Sequence, residues 1–364
     1  MRAFAAWAVR FWPIVVPAVG VVLLIAVWNV TLGPVLVAIV AIVLAGTVLA
    51  AVQHAEVVAH KVGEPFGSLV LAVAVTVIEV ALIVTLMTSG KDSSTLARDT
   101  VFSAVMITMN GIVGLSLLLG ASRRTTTSFN AEGTGAALAT VTALATLTLV
   151  LPTFTQTPGP QFSPSQLVFA AIASVALYAM FVFTQTVAHR DFFLPVKANG
   201  TPVDDDSHAE APSTRTALTS LGLLVVALIA VVGLAKLESP SIEAGVAAIG
   251  FPQSFVGVVI ALLVLLPEGI AAAKAARRNR MQTSLNLALG SAMASIGLTI
   301  PSIAIASIWL TGPLHLGLGA SQIVLLALTV IVSVLTVVPG RAARLQGGVH
   351  LVLFAAFLFL SIVP

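Results

Sequence analysis

The feature that most constrains this chain is a series of eleven apolar stretches, each about as long as a membrane-spanning helix. A helix needs about 20 mostly apolar residues to cross the hydrocarbon layer, and continuous rather than alternating apolar runs predict helices rather than strands. The sequence therefore predicts an all-α polytopic membrane protein with eleven transmembrane helices. The predicted spans are residues 11–31, 34–54, 66–88, 101–121, 134–154, 165–188, 216–236, 253–273, 283–308, 319–338 and 347–363.

The composition agrees with lipid as the solvent and excludes several classes of function. Hydrophobic residues make up 58% of the 364 residues and charged residues only 9%, whereas soluble domains carry about 25% charged residues. The chain has no cysteine, which excludes disulfides, thiolate metal sites and thiol catalysis. Basic residues lie at the ends of the apolar stretches, so the net charge of +3 does not indicate nucleic-acid binding. The first stretch lacks a clear small-residue cleavage site and is expected to be a retained helix.

The Lys and Arg residues are unevenly divided between alternate connections. If the N-terminus is cytoplasmic, only Lys91, Arg98 and Lys236 of the 17 Lys and Arg residues lie outside the cell. Cytoplasmic connections carry an excess of Lys and Arg, so this split supports both the helix count and the orientation. The predicted orientation places the N-terminus in the cytoplasm and the C-terminus outside.

A polar segment divides the chain into two halves of five helices each. We predict an N-terminal helix within residues 1–33, a first repeat at 34–190, a cytoplasmic linker at 191–215 and a second repeat at 216–364. Because five is an odd number, the second repeat enters the membrane with the opposite polarity, as in many secondary transporters. The linker is expected to be solvated, and its acidic residues are Asp204, Asp205, Asp206 and Glu210.

Two glutamates occupy matching places in the two halves. Glu79 and Glu268 are each in the second helix of their repeat, and they are the acidic residues that the sequence places deep inside apolar stretches. An ionised carboxylate in hydrocarbon costs about 2.5–3.5 kcal/mol or more, so such residues face a protein interior or a water-filled cavity and mark ion or proton routes. No Lys or Arg lies at the same depth to pair with either glutamate. We therefore predict one shared site that binds cations and protons through both carboxylates.

Four further residues are predicted to line this site. Asn110 and Ser291 lie in the helices that follow the two glutamates, although Asn110 could instead join helices by hydrogen bonding. Pro267 precedes Glu268 and is expected to kink the helix and expose a carbonyl beside the carboxylate. Glu64 lies where the third helix begins. It is either an acid that interacts favourably with the positive end of the helix dipole or a cytoplasmic group on the ion route.

Other polar residues within the spans have simpler interpretations. His54 is expected to be solvated at the cytoplasmic boundary, and His350 is expected at the membrane interface. A further set of polar side chains is expected to serve helix packing rather than ion binding, namely Ser103, Thr108, Asn286 and Ser295.

Three segments carry a resemblance to a known family. They are GEPFGSLVLAVAVTVIEVALI (63–83), RDTVFSAVMITMNGIVG (98–114) and LLPEGIAAAKAARRNRMQTSLNLALGSAMASIGLTIP (265–301). With the layout of one helix plus two repeats of five, the chain resembles the bacterial calcium/proton antiporter branch of the cation/calcium exchanger superfamily. The resemblance covers nearly the whole chain, and it implies a prokaryotic inner membrane as the location.

The resemblance also implies the chemistry of the site. It implies Ca²⁺ as the transported substrate, held by Glu79 and Glu268 with polar groups near Asn110 and Ser291, and protons that compete for the same carboxylates. No cofactor is implied. The eukaryotic vacuolar branch has Gly-Asn-Ala before each glutamate, whereas this chain has Thr-Val-Ile and Leu-Leu-Pro. Asparagine ligands are therefore not carried over to those positions.

Three alternatives stay open beside exchange of Ca²⁺ for H⁺. An antiporter of Na⁺ or K⁺ against H⁺ would use the same carboxylates, and members of the bacterial branch are associated with those ions. A passive cation channel is disfavoured because matched inverted halves indicate alternating access. An intramembrane enzyme is disfavoured because no Gly-x-Ser-x-Gly, His-Glu-x-x-His or Asp-Asp-x-x-Asp motif lies within a span. The sequence does not define the oligomeric state.

Overall fold

The computed structural model describes residues 2–30, 32–63, 66–89, 94–122, 125–194, 212–310 and 312–364. Within these residues, ten helical stretches are long and apolar enough to cross a membrane, and the N-terminal helix adds a shorter apolar stretch, Phe11–Val27. The prediction of an all-α membrane protein with eleven helices is therefore confirmed.

Each predicted span corresponds to a helical stretch, and two of these stretches continue to Val62 and Ala248, eight and twelve residues beyond the predicted ends. A π-helical segment, Ile107–Ile112, joins two α-helical segments into one membrane helix, and two short strands lie in connections. The elements are α1 (Arg2–Val27), α2 (Pro34–Val62), α3 (Phe66–Ser89), α4 (Leu96–Met106), α5 (Val113–Gly120), β1 (Thr126–Ser128), α6 (Ala131–Ala145), α7 (Pro164–Phe183), α8 (Thr214–Ala248), α9 (Phe255–Arg277), α10 (Met281–Ala306), α11 (Ala320–Val337), β2 (Arg341–Ala343) and α12 (Arg344–Ile362).

Local sequence signals account for several helix ends. At the start of α7, the Ser163 hydroxyl accepts a hydrogen bond from the Gln166 N–H, and the Gln166 side chain accepts one from the Ser163 N–H. Pro164 occupies the first turn of the same helix, where its missing N–H is not needed. Ser213 caps α8 through its hydroxyl. Gly63 ends α2 with a φ of 74°, in the left-handed region that glycine adopts without strain.

The helices form two compact units, each made of two separate parts of the chain. Unit 1 comprises Met1–Ser93 and His208–Gln253, and unit 2 comprises Ser94–Ser207 and Ser254–Pro364. Unit 1 therefore holds α1, α2, α3 and α8, and unit 2 holds the other helices and both strands. Each unit combines helices from both predicted repeats, so the division in space differs from the division along the sequence.

Unit 1 is organised around α2 and α8, which pack against each other and each against α1 and α3. α8 ends at Ala248 rather than near residue 236, and the acidic and Pro-containing segment that resembles a loop is helical. Its 35 residues span about 52 Å, compared with about 30 Å of hydrocarbon. Buried residues recur at every third or fourth position of α8 and form one face of the helix: Ser220, Leu224, Ala227, Val231, Leu234 and Glu238.

His54 corrects a sequence-based expectation. It lies inside α2, which continues to Val62, and it is buried rather than solvated at a boundary. Its Nε2 atom lies 2.9 Å from the carbonyl oxygen of Pro13 in α1. Pro17, four residues after Pro13, has no N–H to bond that carbonyl, so the imidazole donates the hydrogen bond that the helix cannot make.

We expect His54→Ala to lower the free energy of unfolding by about 1–3 kcal/mol, because it leaves the buried Pro13 carbonyl without a donor. Pro17→Ala is the matched background, since it returns an N–H that can bond this carbonyl within α1. The coupling between the two substitutions is measured by thermal unfolding in detergent of the wild type, both single variants and the double variant. An equal cost of His54→Ala in the two backgrounds would contradict this explanation.

Unit 2 is built around the membrane helix Leu96–Gly120. Its most apolar window is 83% buried, against 22% for Pro164–Ala188, which identifies it as the central helix of the unit. α9, α10 and α12 all pack against it. Its fully enclosed large side chains are Phe102, Met106, Met109 and Leu117.

A short antiparallel ribbon links two connections of unit 2. Thr127 in β1 lies opposite Ala342 in β2. Arg344 reinforces the link by donating from Nε to the Ala121 carbonyl oxygen at 3.0 Å. The pairing requires both connections to lie on the same side of the membrane, as the predicted topology places them. Three-residue strands are too short to leave a pattern in the sequence, which explains why the ribbon was not predicted.

Candidate functional site

The glutamate of the first repeat lies in unit 1. Glu79 is in the middle of α3, and its side chain is only 2% exposed. Buried neighbours on the same helix, Val75, Ile78, Leu82 and Ile83, surround it in the sequence. The expectation that this carboxylate faces a protein interior rather than lipid is confirmed. An ionisable group in such a place indicates an ion or proton route.

The glutamate of the second repeat lies in unit 2. Glu268 is half-buried in α9, which packs against the π-helical segment Ile107–Ile112. A Cβ added at the next residue, Gly269, would lie 3.6 Å from Ile112, so this turn of α9 lies close to the segment that carries Asn110. Pro267 is inside α9 and has no N–H to bond the carbonyl of Leu263, and the free carbonyl expected beside Glu268 stays a prediction.

Asn110 lies at the centre of a buried polar network in unit 2. Its amide Nδ2 donates to Thr329 Oγ1 at 2.9 Å, and its Oδ1 lies 3.1 Å from His350 Nδ1. The residue is fully buried within the π-helical segment. π-helical turns inside α-helices occur frequently at functional sites. The structure thus shows the helix-joining role that the sequence left open for Asn110, and a ligand role stays a prediction.

His350 corrects the second expectation about histidine. It is 0% exposed, whereas the sequence predicted a position at the membrane interface. Because Asn110 Oδ1 can only accept, His350 Nδ1 carries the hydrogen of that bond. Its Nε2 lies 3.2 Å from Thr336 Oγ1, so both ring nitrogens have a partner. A cavity of about 20 Å³ beside the ring is lined by Ser333 and otherwise mostly apolar side chains.

Ser291 and the predicted packing residues lie on or beside the helices of this network. Ser291 is half-buried on α10, and the position before it, Gly290, faces open space. Ser103 and Thr108 are buried and donate to carbonyl oxygens of their own helix at 2.5 and 2.7 Å, and the packing role expected of them stays a prediction. The Asn286 Nδ2 atom donates to the Phe193 carbonyl oxygen at 2.7 Å, as expected of a packing residue. Ser295 is buried.

Two acidic residues that no sequence pattern indicated as site residues are also buried. Asp99 is 3% exposed at the start of α4, and Glu238 is 2% exposed in α8. The Arg98 Nη2 atom lies 2.8 Å from Asp99 Oδ1, and the Thr95 hydroxyl donates to Oδ2 at 2.8 Å. This ion pair lines a polar cavity of about 210 Å³ in unit 2. Since Arg98 neutralises Asp99, we interpret the pair as a structural contact rather than a cation site.

The predicted site residues are distributed over both units. Glu79 belongs to unit 1, and Glu268, Asn110, Ser291 and Pro267 belong to unit 2. Within unit 2, the π-helical segment brings Asn110 beside the helix of Glu268. Glu64 and the acidic linker residues 204–210 lie outside the described residues. The shared site of the two glutamates stays a prediction.

Comparison with known families gives a match over both predicted repeats. The model of the family described as "Sodium/calcium exchanger protein" matches residues 32–187 and 219–363. These two ranges each contain five of the membrane helices and one of the two glutamates. That the two ranges are inverted copies of one repeat stays a prediction.

Individual proteins resemble the chain over most of its length. The y4hA protein of Sinorhizobium fredii, which is named only as an ionic transporter, is 49% identical over 88% of this chain and 87% of its own. The sodium-potassium/proton antiporter ChaA of Escherichia coli is 36% identical over 86% of this chain and 85% of its own. Among solved structures, the H⁺/Ca²⁺ exchanger CAX has the same fold, with a TM-score of 0.71, 17% identity and coverage of 96% of this chain and 88% of that one.

Proposed function

Because this chain belongs to the sodium/calcium exchanger protein family, we propose that it is a secondary active antiporter that exchanges a cation for protons across the membrane. The observation that carries the proposal is the pair of glutamates, Glu79 and Glu268, at equivalent places in the two matched ranges. Each lies on a membrane helix of its own unit, and Glu79 is almost fully enclosed. An intramembrane acid on a transporter fold indicates the ion or proton path.

The mechanism we propose follows from placing two carboxylates in one low-dielectric site. Two close anions in such a site repel each other, so the empty site holds one or two protons until a cation replaces them. Cation and protons are then mutually exclusive occupants. If only the neutralised site changes its exposure from one side of the membrane to the other, exchange results. With an inward proton gradient, protons enter and the cation leaves the cell.

Ca²⁺ is the first cation that we propose for this site. It takes six to eight oxygen ligands, and two glutamates supply at most four. Asn110 Oδ1, Ser291 Oγ, the carbonyl freed by Pro267 and water are the further oxygens that we assign. Asn110 already accepts from His350, but an amide oxygen has a second lone pair. Mg²⁺ keeps its water in a strict octahedron and is expected to be a poorer substrate.

Exchange of Na⁺ or K⁺ for H⁺ is the second candidate, and it is favoured by the 36% identity to a sodium-potassium/proton antiporter. The same two carboxylates would serve, with one positive charge replacing one proton. The two candidates share the fold and the glutamates, and they differ in the charge of the bound ion. We propose a prokaryotic inner membrane with a cytoplasmic N-terminus as the setting for either.

Proton flux in proteoliposomes tests the proposal. Purified protein is reconstituted with a pH-sensitive dye inside, and Ca²⁺, Na⁺, K⁺ or Mg²⁺ is added outside in separate experiments. Proton movement that requires Ca²⁺ supports Ca²⁺/H⁺ exchange, and movement with Na⁺ or K⁺ alone supports the second candidate. Cation uptake without proton movement would indicate a channel. No flux with any of these ions would contradict the proposed function.

A further inference from the structure

Glu238 is a third carboxylate that the two-glutamate mechanism does not use. It continues the buried face of α8, one turn after Leu234, where the pattern of that face calls for an apolar residue. Its side chain is 2% exposed, and within the described part of the chain its enclosed Oε2 atom has no hydrogen-bond partner. Buried polar atoms are normally bonded, so this exception requires an explanation.

Among the residues that the structure describes, the groups around Glu238 do not supply the charge that a structural ion pair would need. Lys236, two residues earlier, is exposed and places its Nζ 5.9 Å from the centre of the Trp28 ring. Glu243, one turn later, receives a hydrogen bond from Ser239 at 3.4 Å. The outer halves of α1 (18–27) and α2 (34–50), which pack against α8, contain no ionisable residue. The outer half of α3 (77–88) contains Glu79 as its ionisable residue.

The position along α8 places Glu238 at the outer side of unit 1. The predicted span 216–236 has its centre near residue 226, and Glu238 is about 18 Å further along the helix at 1.5 Å per residue. The outer edge of the hydrocarbon is about 15 Å from the midplane. The same estimate places Glu79 about 3 Å from the midplane. Glu238 therefore lies between outer water and the level of Glu79, within the same unit.

We propose that Glu238 is a proton-uptake group on the outer side of unit 1. This inference rests on the proposed function and extends it. The carboxylate takes a proton from outer water to become the acid, then transfers that proton inward toward Glu79, and returns to the carboxylate. A proton suits this position better than a divalent cation, since Ca²⁺ takes six to eight oxygen ligands and, among the described residues, no group of three or more acidic or histidine side chains is placed to hold a metal ion.

The test varies the pH on the outer side alone. Everted membrane vesicles keep the outer face of the protein in the lumen, so lumenal pH can be changed while the cation is added at constant pH to the cytoplasmic face. We expect Glu238→Gln to lower the exchange rate by about tenfold or more and to remove its dependence on lumenal pH. The cation concentration for half-maximal exchange is expected to stay at the wild-type value, because Glu238 does not bind the cation.

Glu243→Gln is the matched control, because it removes the other acid of the same helix end from a half-exposed position. It should keep the wild-type rate and pH profile. Glu238→Leu continues the apolar face, so it should fold even if the glutamine variant does not, and it should show the same loss.

A wild-type pH profile in a folded Glu238 variant would overturn the inference while leaving the proposed function in place. A loss of cation affinity equal to that of Glu79→Gln would also overturn it, since Glu238 would then be a ligand. Absence of exchange in the wild type would instead overturn the proposed function.

Discussion

Glu79→Gln and Glu268→Gln are each expected to abolish exchange, with rates at least about 100-fold below wild type. Glutamine keeps the size of glutamate and the hydrogen-bonding capacity of one oxygen, but it has no negative charge to bind a cation and no proton to exchange. Removing one partner of an enclosed charged interaction costs about 2–5 kcal/mol, and each 1.4 kcal/mol lowers the binding constant by a factor of about ten. Dye-monitored proton flux in proteoliposomes, with the cation that drives the wild type, measures the loss.

Three control variants separate a loss of the site from a loss of structure. Glu132→Gln removes an exposed acid from the first turn of α6 and should leave flux unchanged. Glu79→Asp and Glu268→Asp keep the charge on a shorter side chain and should retain a measurable fraction of the activity. Wild-type flux in either glutamine variant would contradict the two-carboxylate mechanism, provided that the protein elutes as a single folded species.

Gly347→Leu is expected to destabilise unit 2 by about 3 kcal/mol or more, or to prevent folding. A Cβ at Gly347 would lie 2.8 Å from the Gly114 carbonyl oxygen and 2.8 Å from the Leu118 nitrogen. These are backbone atoms of α5, so the clash can be relieved only by moving α12 away from α5. Small residues are what allow two membrane helices to cross so closely. Overpacking of a fitted interface usually costs 1–3 kcal/mol, and here no flexible side chain can yield.

Gly348→Leu is the matched control for this crossing. A Cβ at Gly348 meets nothing within 4 Å, and leucine favours a helix over glycine by up to about 0.8–1 kcal/mol. Thermal unfolding in detergent should therefore show a large loss for Gly347→Leu and none for Gly348→Leu. The same melting temperature for both variants would show that α5 and α12 do not approach as described. Because His350 follows this crossing in α12, displacement of α12 should also break its hydrogen bond to Asn110.

The sequence predicted the helices well because the length and the apolar composition of each run are enough to identify a membrane helix. Every predicted span corresponds to a helix, and Glu79 is enclosed as expected. Errors arose where the identity of a residue conflicts with its tertiary surroundings. His54 and His350 were predicted at boundaries because histidine is polar, but distant partners, the Pro13 carbonyl and the Asn110 amide, satisfy them in the interior.

The candidate site was less predictable because its hydrogen bonds join residues far apart in sequence. The bonds of Asn110 reach 219 and 240 residues along the chain, to Thr329 and His350, and no local pattern indicates them. Glu238 did leave a signal, since it continues a spacing of three and four residues along α8. The neighbouring Lys236 and Pro240 obscured that signal by giving the segment the composition of a loop.

The measurement that tests the shared site most directly is the number of protons released when the transported cation binds. Purified protein in weakly buffered detergent is titrated with that cation, and bound cation and released protons are measured together. The two-carboxylate mechanism predicts one binding site that releases one or two protons, with both signals absent in Glu79→Gln and in Glu268→Gln. Cation binding without proton release, or a full-strength site that persists in both variants, would contradict it.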